Sequence, residues 1–245
     1  MITALKTASI LLSYPSQEIH SALPGLIEIL TAGNQAKKRE TKLLAELARD
    51  IADSELYDAQ ERYVFLFDRT RSLSLHLFEH VHGESRDRGQ AMVDLMAVYE
   101  ENGLSIDEKE LPDYLPLFLE YLATRTESEA QEMLSQTLHI VSALRKRLKK
   151  RKSIYANVFL ALEAFANSKP DQGLVKSILA RPEDDPEDLD ALDAIWEEEA
   201  VTFGGNAGEN ACGPDRLQRQ VRASRRKPEN LENNPNATPN AGEAQ

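Results

Sequence analysis

The sequence predicts an all-α protein: one helical bundle, an acidic C-terminal helix and a disordered tail. Three observations predict it. Apolar residues recur at three- and four-residue spacing through most of the first 180 positions. Helix stops and caps punctuate those stretches, among them Tyr14-Pro15, Asn102-Gly103 and Thr126 with Glu129. From Gly204 the chain is rich in Gly, Asn, Pro, Ala and Arg and nearly devoid of large apolar residues, so it cannot bury enough surface to offset its ordering entropy.

The elements follow in order. Leu5, Ala8 and Leu12 mark a first helix, stopped by Tyr14-Pro15. Residues 23–30 form a second, ending near Gly33. Leu43, Leu44, Leu47, Ala48 and Ile51 make one stripe of a third, with charges opposite. Ser54 is placed to cap a fourth, which carries Leu56, Tyr63, Val64 and Phe67. Residues 72–77 alternate with period two, a strand pattern with no second strand to pair with. A partly buried extended link, or a helix whose pattern misleads, are the two readings. Ser85 is placed to cap a helix bearing Met92, Leu95, Met96 and Tyr99, closed by Asn102-Gly103. Pro112 suits the first turn of the next helix, and Pro116 is less comfortable there. Leu115, Phe118, Leu119 and Leu122 give that helix its apolar side. A capping box, Thr126 with Glu129 or Ser128 with Gln131, opens a long helix through Leu148. Ile154, Tyr155, Val158, Phe159, Leu162 and Phe165 belong to another. The expected organisation is a helical domain over residues 1–180, an acidic amphipathic helix over 181–203 and a disordered tail over 204–245.

Charge and composition exclude several functions. The net charge is −12, which argues against nucleic acid as a partner and in favour of a basic polypeptide segment. A single cysteine, Cys212, permits neither an internal disulfide nor a thiolate zinc site and suits a reducing compartment. No apolar run approaches the roughly 18 residues of a membrane span, and residues 8–12 are too short for a secretory signal core. A cytoplasmic protein without membrane insertion is expected. No Gly-x-Ser-x-Gly, phosphate loop, dinucleotide glycine fingerprint or Cys-x-x-Cys occurs, so no catalytic residue is assigned.

The most informative stretch runs from Tyr63 to Leu122. It holds an aromatic helix face (Tyr63, Phe67), an ion cluster (His82, Glu84, Arg86, Asp87, Arg88) and an acidic turn (Glu110, Pro112, Asp113, Tyr114). These residues resemble the TorD/DmsD/NarJ family of redox-enzyme maturation chaperones. The family's Tyr followed by Leu-Phe is matched by Tyr63, Leu66 and Phe67. Its Glu-Pro-Asp-His turn is matched loosely: Leu111 is an extra residue, and Tyr114 stands where the wider family has histidine. The run from His82 to Met92 and the acidic segment with Leu192 and Trp196 resemble the nitrate-reductase branch. The resemblance spans about residues 1–203. It implies an all-helical cytoplasmic chaperone without enzymatic activity and without a stably bound cofactor. Such a protein binds the N-terminal segment of the apo catalytic (alpha) subunit of respiratory nitrate reductase. It promotes insertion of molybdenum cofactor before membrane attachment, with molybdenum cofactor biosynthesis proteins as further partners. A different molybdoenzyme subunit is the alternative client.

Each constellation also has a plainer reading. Tyr63 and Phe67 lie four apart on one helix face, as core or as the wall of a client groove. Arg86 and Arg88, with His82, Glu84 and Asp87 beside a helix start, suit an anion or client carboxylate, or else a self-neutralised network. Glu110 and Asp113 favour the positive end of a helix, or pair with basic residues of a client. His76 and His80 have the spacing that puts two imidazoles on one helix side, the basis of a metal-enzyme alternative, although no defined ligand set accompanies them. Residues 145–152 place seven cations in eight positions. They read as a solvated helix end, as a partner for the acidic residues 183–199, or as a contact for anionic lipid.

Overall fold

A computed structural model describes residues 2–32, 39–82, 86–106 and 110–183. The chain separates into two units, 1–198 and 199–245, and every described residue belongs to the first. The acidic helix expected over 181–203 and the tail expected over 204–245 lie outside the described residues, apart from positions 181–183. Among the described residues the regular structure is helical: α1 Ile2–Leu12, α2 Gln17–Thr31, α3 Arg39–Asp53, α4 Leu56–Phe67, α5 Arg86–Glu101, α6 Leu115–Ala123, α7 Glu127–Lys150, α8 Ala156–Phe165 and α9 Gln172–Leu179. Two short 3-10 turns, Arg71–Leu73 and Leu77–His80, lie between α4 and α5.

The core follows the apolar stripes. Leu5, Ala8 and Leu12 of α1 are buried against α6 and α3. Leu44, Leu47, Ala48 and Ile51 turn the stripe of α3 toward α1, α2 and α8. α7 lies along α8 and α9 and also meets both 3-10 turns. α5 is peripheral, packed mainly on the second 3-10 turn, with Tyr99 as its one fully buried large side chain.

The capping box that forms is the Thr126 one. The Glu129 amide donates to the Thr126 hydroxyl, and the Thr126 amide donates to the Glu129 carboxylate at 3.0 Å. Those bonds hold the Glu129 carboxyl below its usual range. α5 ends at Gly103, whose φ of 79° lets the Leu104 amide fold back to the Tyr99 carbonyl.

Four local expectations change. α2 begins at Gln17, not near residue 23, because the Ser16 hydroxyl caps it; Pro24 is inside the helix and forfeits one backbone bond there. Ser54 does not cap α4: its hydroxyl donates back to the Asp50 carbonyl at the end of α3, and Glu55 takes the cap position. Pro112 precedes its helix; α6 starts at Leu115 with Pro116 in its first turn. Residues 145–152 are not simply a solvated helix end, since Arg147 is 3% exposed. Its guanidinium donates to the carbonyls of Ser72 (2.6 Å) and Ile178 (2.8 Å). Arg145 pairs with Glu163, and Arg151 reaches the Ser72 hydroxyl.

Candidate functional site

The residues singled out in the sequence converge where the segment between α4 and α5 meets the segment before α6. Only residues 74–76 of the 72–77 stretch run extended, because residues 72, 73 and 77 belong to the flanking 3-10 turns, and His76 forms an antiparallel bridge with Tyr114. The Leu77 amide donates to the Asp113 carbonyl at 3.0 Å, and the Leu115 amide donates to the Leu75 carbonyl at 2.9 Å. The partner strand absent from the sequence pattern is thus a few residues of the acidic turn. The period-two alternation does not separate two faces, because Ser72, Leu73, Ser74, Leu75 and Leu77 are all buried.

Asp113 is the hub of this junction. Its side chain is 0% exposed. One carboxylate oxygen accepts from His76 Nδ1 at 3.2 Å, and the other accepts from the Phe78 amide at 3.1 Å. The Arg88 guanidinium stands 4.0 Å away and donates to Glu79 at 3.1 Å. A single carboxylate therefore ties together the second 3-10 turn, α5 and the approach to α6. It faces inward, so its pairing is with this chain's own groups and not with a partner's surface cation.

Beside the hub, an aromatic row runs into the core. Tyr14 meets Tyr63 edge-on with centroids 5.7 Å apart, Tyr63 tilts against Phe67 at 5.1 Å, and Phe67 meets Tyr155 edge-on at 5.1 Å. The Tyr63 hydroxyl donates to the Leu12 carbonyl at 2.9 Å and lies 3.0 Å from the Tyr114 hydroxyl. Since the carbonyl only accepts, the Tyr114 hydroxyl is the donor in that pair. Burial raises both phenols, and it pushes Tyr155 up to about 12. Tyr63 and Phe67 are 3% and 4% exposed. They are core residues in this conformation and do not form an open groove wall.

What faces solvent is a different set. Tyr14 is 46% exposed, His76 is 31% exposed at its side chain, and Tyr114 is half-buried with its ring 5.4 Å from His76. Leu111, Glu110 and Asp68 are exposed around them. Desolvation at the end of α4 raises the Asp68 carboxyl above its usual range, and nearby His76 offsets only part of that rise. Tyr14 and Asp68 were missed in the sequence. Tyr14-Pro15 reads as a helix stop, and Asp68 lies just past the Leu66-Phe67 motif.

The remaining candidates do not gather into a second site. Asp87 is exposed, Arg88 is committed to Glu79 and Asp113, and His82 meets the Phe78 ring edge-on at 5.8 Å. Glu84 and the Arg86 side chain lie outside the described residues, as does the expected Ser85 cap. His76 and His80 share no helix face. His76 precedes the second 3-10 turn, while His80 is buried and donates through Nε2 to the Ser74 carbonyl at 2.8 Å. Among the described residues no group of three or more His, Cys, Asp or Glu is arranged to hold a metal ion. None of the described helices is long and apolar enough to cross a membrane.

Residues 33–161, which contain the whole of this junction, match the profile of the nitrate reductase delta subunit family. The chain belongs to that family. It is 44% identical over 211 residues to NarJ of Escherichia coli K12, a nitrate reductase molybdenum cofactor assembly chaperone, covering 85% of this chain and 87% of that protein. NarW of the same organism is 40% identical over 200 residues, covering 81% of this chain and 83% of the relative. A crystal structure from Archaeoglobus fulgidus, described as a redox enzyme maturation protein, superposes with a TM-score of 0.51 at 22% identity, over 69% of this chain and 94% of that one. That likeness supports the helical fold. In this member of the delta subunit family, the Tyr63–Leu66–Phe67 motif and the acidic turn meet through the Tyr63–Tyr114 hydroxyl pair.

Proposed function

We propose that this chain is a client-specific assembly chaperone, not an enzyme, and that it acts in the cytoplasm on respiratory nitrate reductase. It holds the N-terminal segment of the apo catalytic (alpha) subunit while molybdenum cofactor is inserted, and releases the subunit before membrane attachment. The cofactor belongs to the client, and biosynthesis proteins that carry it are further partners in the same step. The observation that carries this reading is the 44% identity with an assembly chaperone over most of both chains.

The geometry supports a division of labour in client binding. Tyr14, Tyr114, His76 and Leu111 offer amphipathic contact area, and Glu110 and Asp68 edge it with negative charge. Such a surface suits an amphipathic basic helix laid across it. Tyr63, Phe67, Pro112 and Asp113 act from beneath by fixing that surface. Pro112, for example, accepts from the Tyr99 hydroxyl at 2.9 Å through its carbonyl.

The test is a calorimetric titration of the full chain with the N-terminal peptide of a nitrate reductase catalytic subunit, at low and at raised salt. One-to-one binding that weakens with salt is expected, because exposed charges are screened. No binding at either salt, or equal binding of a scrambled peptide, overturns the proposal.

A further inference from the structure

The basic end of α7 is the strongest charged feature that the client surface does not use. Its cations divide in two. Arg145, Arg147 and Arg151 turn toward the protein, onto Glu163 and onto the backbone or hydroxyl of residues 72 and 178. Lys149, Lys150 and Lys152 remain exposed. The helix terminates there with Lys152 in the left-handed region, φ 55°, a position where glycine is customary. The negative end of the helix dipole favours cations at this terminus.

The described chain ends against this same patch. After α9 it runs back to α7, where Glu183 accepts from Lys150 Nζ at 3.2 Å. Arg181, two residues earlier, donates to the Glu79 carbonyl at 3.2 Å and fixes the direction of exit. Glu183 is the first of the acidic run, and positions 184–198 carry eight more carboxylates and no cation.

We propose that residues 184–198 dock on the exposed lysines at the C-terminal end of α7, with Glu183–Lys150 as the first contact of a longer electrostatic clasp. Reach is not an obstacle. The turn from Lys146 to Lys152 rises about 9 Å at 1.5 Å per residue, and three or four extended residues beyond Glu183 span about that distance. Charge complementarity selects this segment over the rest of the chain, because no other stretch of similar length combines eight carboxylates with no cation. The lysines are solvated, so the clasp is labile and sensitive to salt. It lies on the same helix end that holds Ser72 through Arg147 and Arg151, behind the segment that carries His76.

Trp196, the one tryptophan of the chain, lies inside the docking segment and reports on it. In the full chain, zero-length carbodiimide coupling is expected to join Lys149, Lys150 or Lys152 to carboxylates of residues 184–198. Acrylamide quenching of Trp196 is expected to rise at least twofold in the Lys149→Glu, Lys150→Glu double variant, and to rise likewise in the native chain at raised salt. Coupling that falls only on other lysines, such as Lys169 or Lys176, overturns the proposal. So does quenching that is the same in native and variant chains at low salt. Both positions are exposed, so the variant keeps its fold, and unchanged far-UV dichroism verifies this.

Discussion

Arg147 gives the sharpest test of the fold, because its sequence context reads as a solvated helix end and its structure does not. The side chain is 3% exposed. It donates to the Ser72 carbonyl at 2.6 Å and to the Ile178 carbonyl at 2.8 Å, with the Arg181 carbonyl at 3.4 Å. Ile178 lies in the last turn of α9 and Arg181 just beyond its cap, so Arg147 both satisfies an end carbonyl of that helix and pins the first 3-10 turn. Hydrogen bonds from a charged donor contribute about 1.5–3 kcal/mol each, and two strong ones are lost in Arg147→Ala. Relief of the ion's desolvation offsets part of that loss, leaving a net destabilisation of about 3–4 kcal/mol. For a folded unit of this size each kcal/mol moves the midpoint by about 2–4 °C, so a fall of about 6–16 °C is expected. Arg147→Met retains most of the volume without the donors and is expected to recover only part of the loss. Lys149→Ala, on the solvated side of the same turn, is expected to stay within about 0.5 kcal/mol of the native chain. Urea unfolding followed by far-UV dichroism measures all three. An Arg147→Ala change below about 1 kcal/mol refutes the staple and restores the solvated reading.

Other expectations follow from the site. Asp113→Ala leaves the Phe78 amide and His76 without their acceptor and is expected to cost about 3–5 kcal/mol, whereas Asp113→Asn keeps an acceptor and costs less; urea unfolding separates them. Tyr63→Phe removes the hydroxyl bonded to Leu12 and Tyr114 and is expected to cost about 1 kcal/mol in the same assay. Tyr14→Ala is expected to leave the melting temperature within a few degrees and to weaken client-peptide binding about tenfold by calorimetry, since Tyr14 is the exposed member of the aromatic row. Burial lowers His80, and His139 in the same direction, so the unfolded chain takes up protons first as pH falls. Stability is then complete above about pH 6.5, the unfolded value, and declines as pH drops toward the lowered folded values. His80→Gln should flatten part of that decline in pH-dependent unfolding and leave the His139 share.

The helices of the bundle were legible because each carries its own period. Leu44, Leu47, Ala48 and Ile51 declare a buried stripe whatever they pack against, and Thr126 with Glu129 marks a start within four residues. The junction was less legible because its decisive contacts are remote. Asp113 and His76 are 37 positions apart, and Arg147 and Ser72 are 75 apart. No local pattern states that Leu75 will accept from Leu115, so residues 72–77 looked like a strand without a partner. Charge was misleading at residues 145–152 for a related reason. Seven cations in eight positions suggest solvent, but a helix has an inward side, and position 147 falls on it with Leu144 and Leu148. The motif residues were found, but their depth was not: sequence spacing puts Tyr63 and Phe67 on one face and does not say that Tyr14 packs on Tyr63 and Tyr155 on Phe67.

The irregular course of residues 72–82 is explained by counting its backbone groups, because buried polar atoms need partners wherever regular structure does not provide them. The Ser72 carbonyl takes a proton from Arg147, and the Ser74 carbonyl takes one from His80. The His76 amide donates to the Ser74 hydroxyl, and the Leu77 and Phe78 amides donate to the carbonyl and the carboxylate of Asp113. The Leu75 carbonyl accepts from the Leu115 amide, and the Glu79 carbonyl accepts from Arg181. The stretch from Asp113 to Leu115, Arg147 of α7, Arg181 just beyond α9 and the segment's own serine and histidine thus do the work that a helix or sheet ladder does elsewhere. A segment held this way does not keep its shape if any one neighbour withdraws, since each lost partner leaves a buried group unpaired. The His76–Tyr114 surface is therefore set by three distant parts of the chain, and substitutions in the α7 staple should alter client binding from the opposite side of the segment.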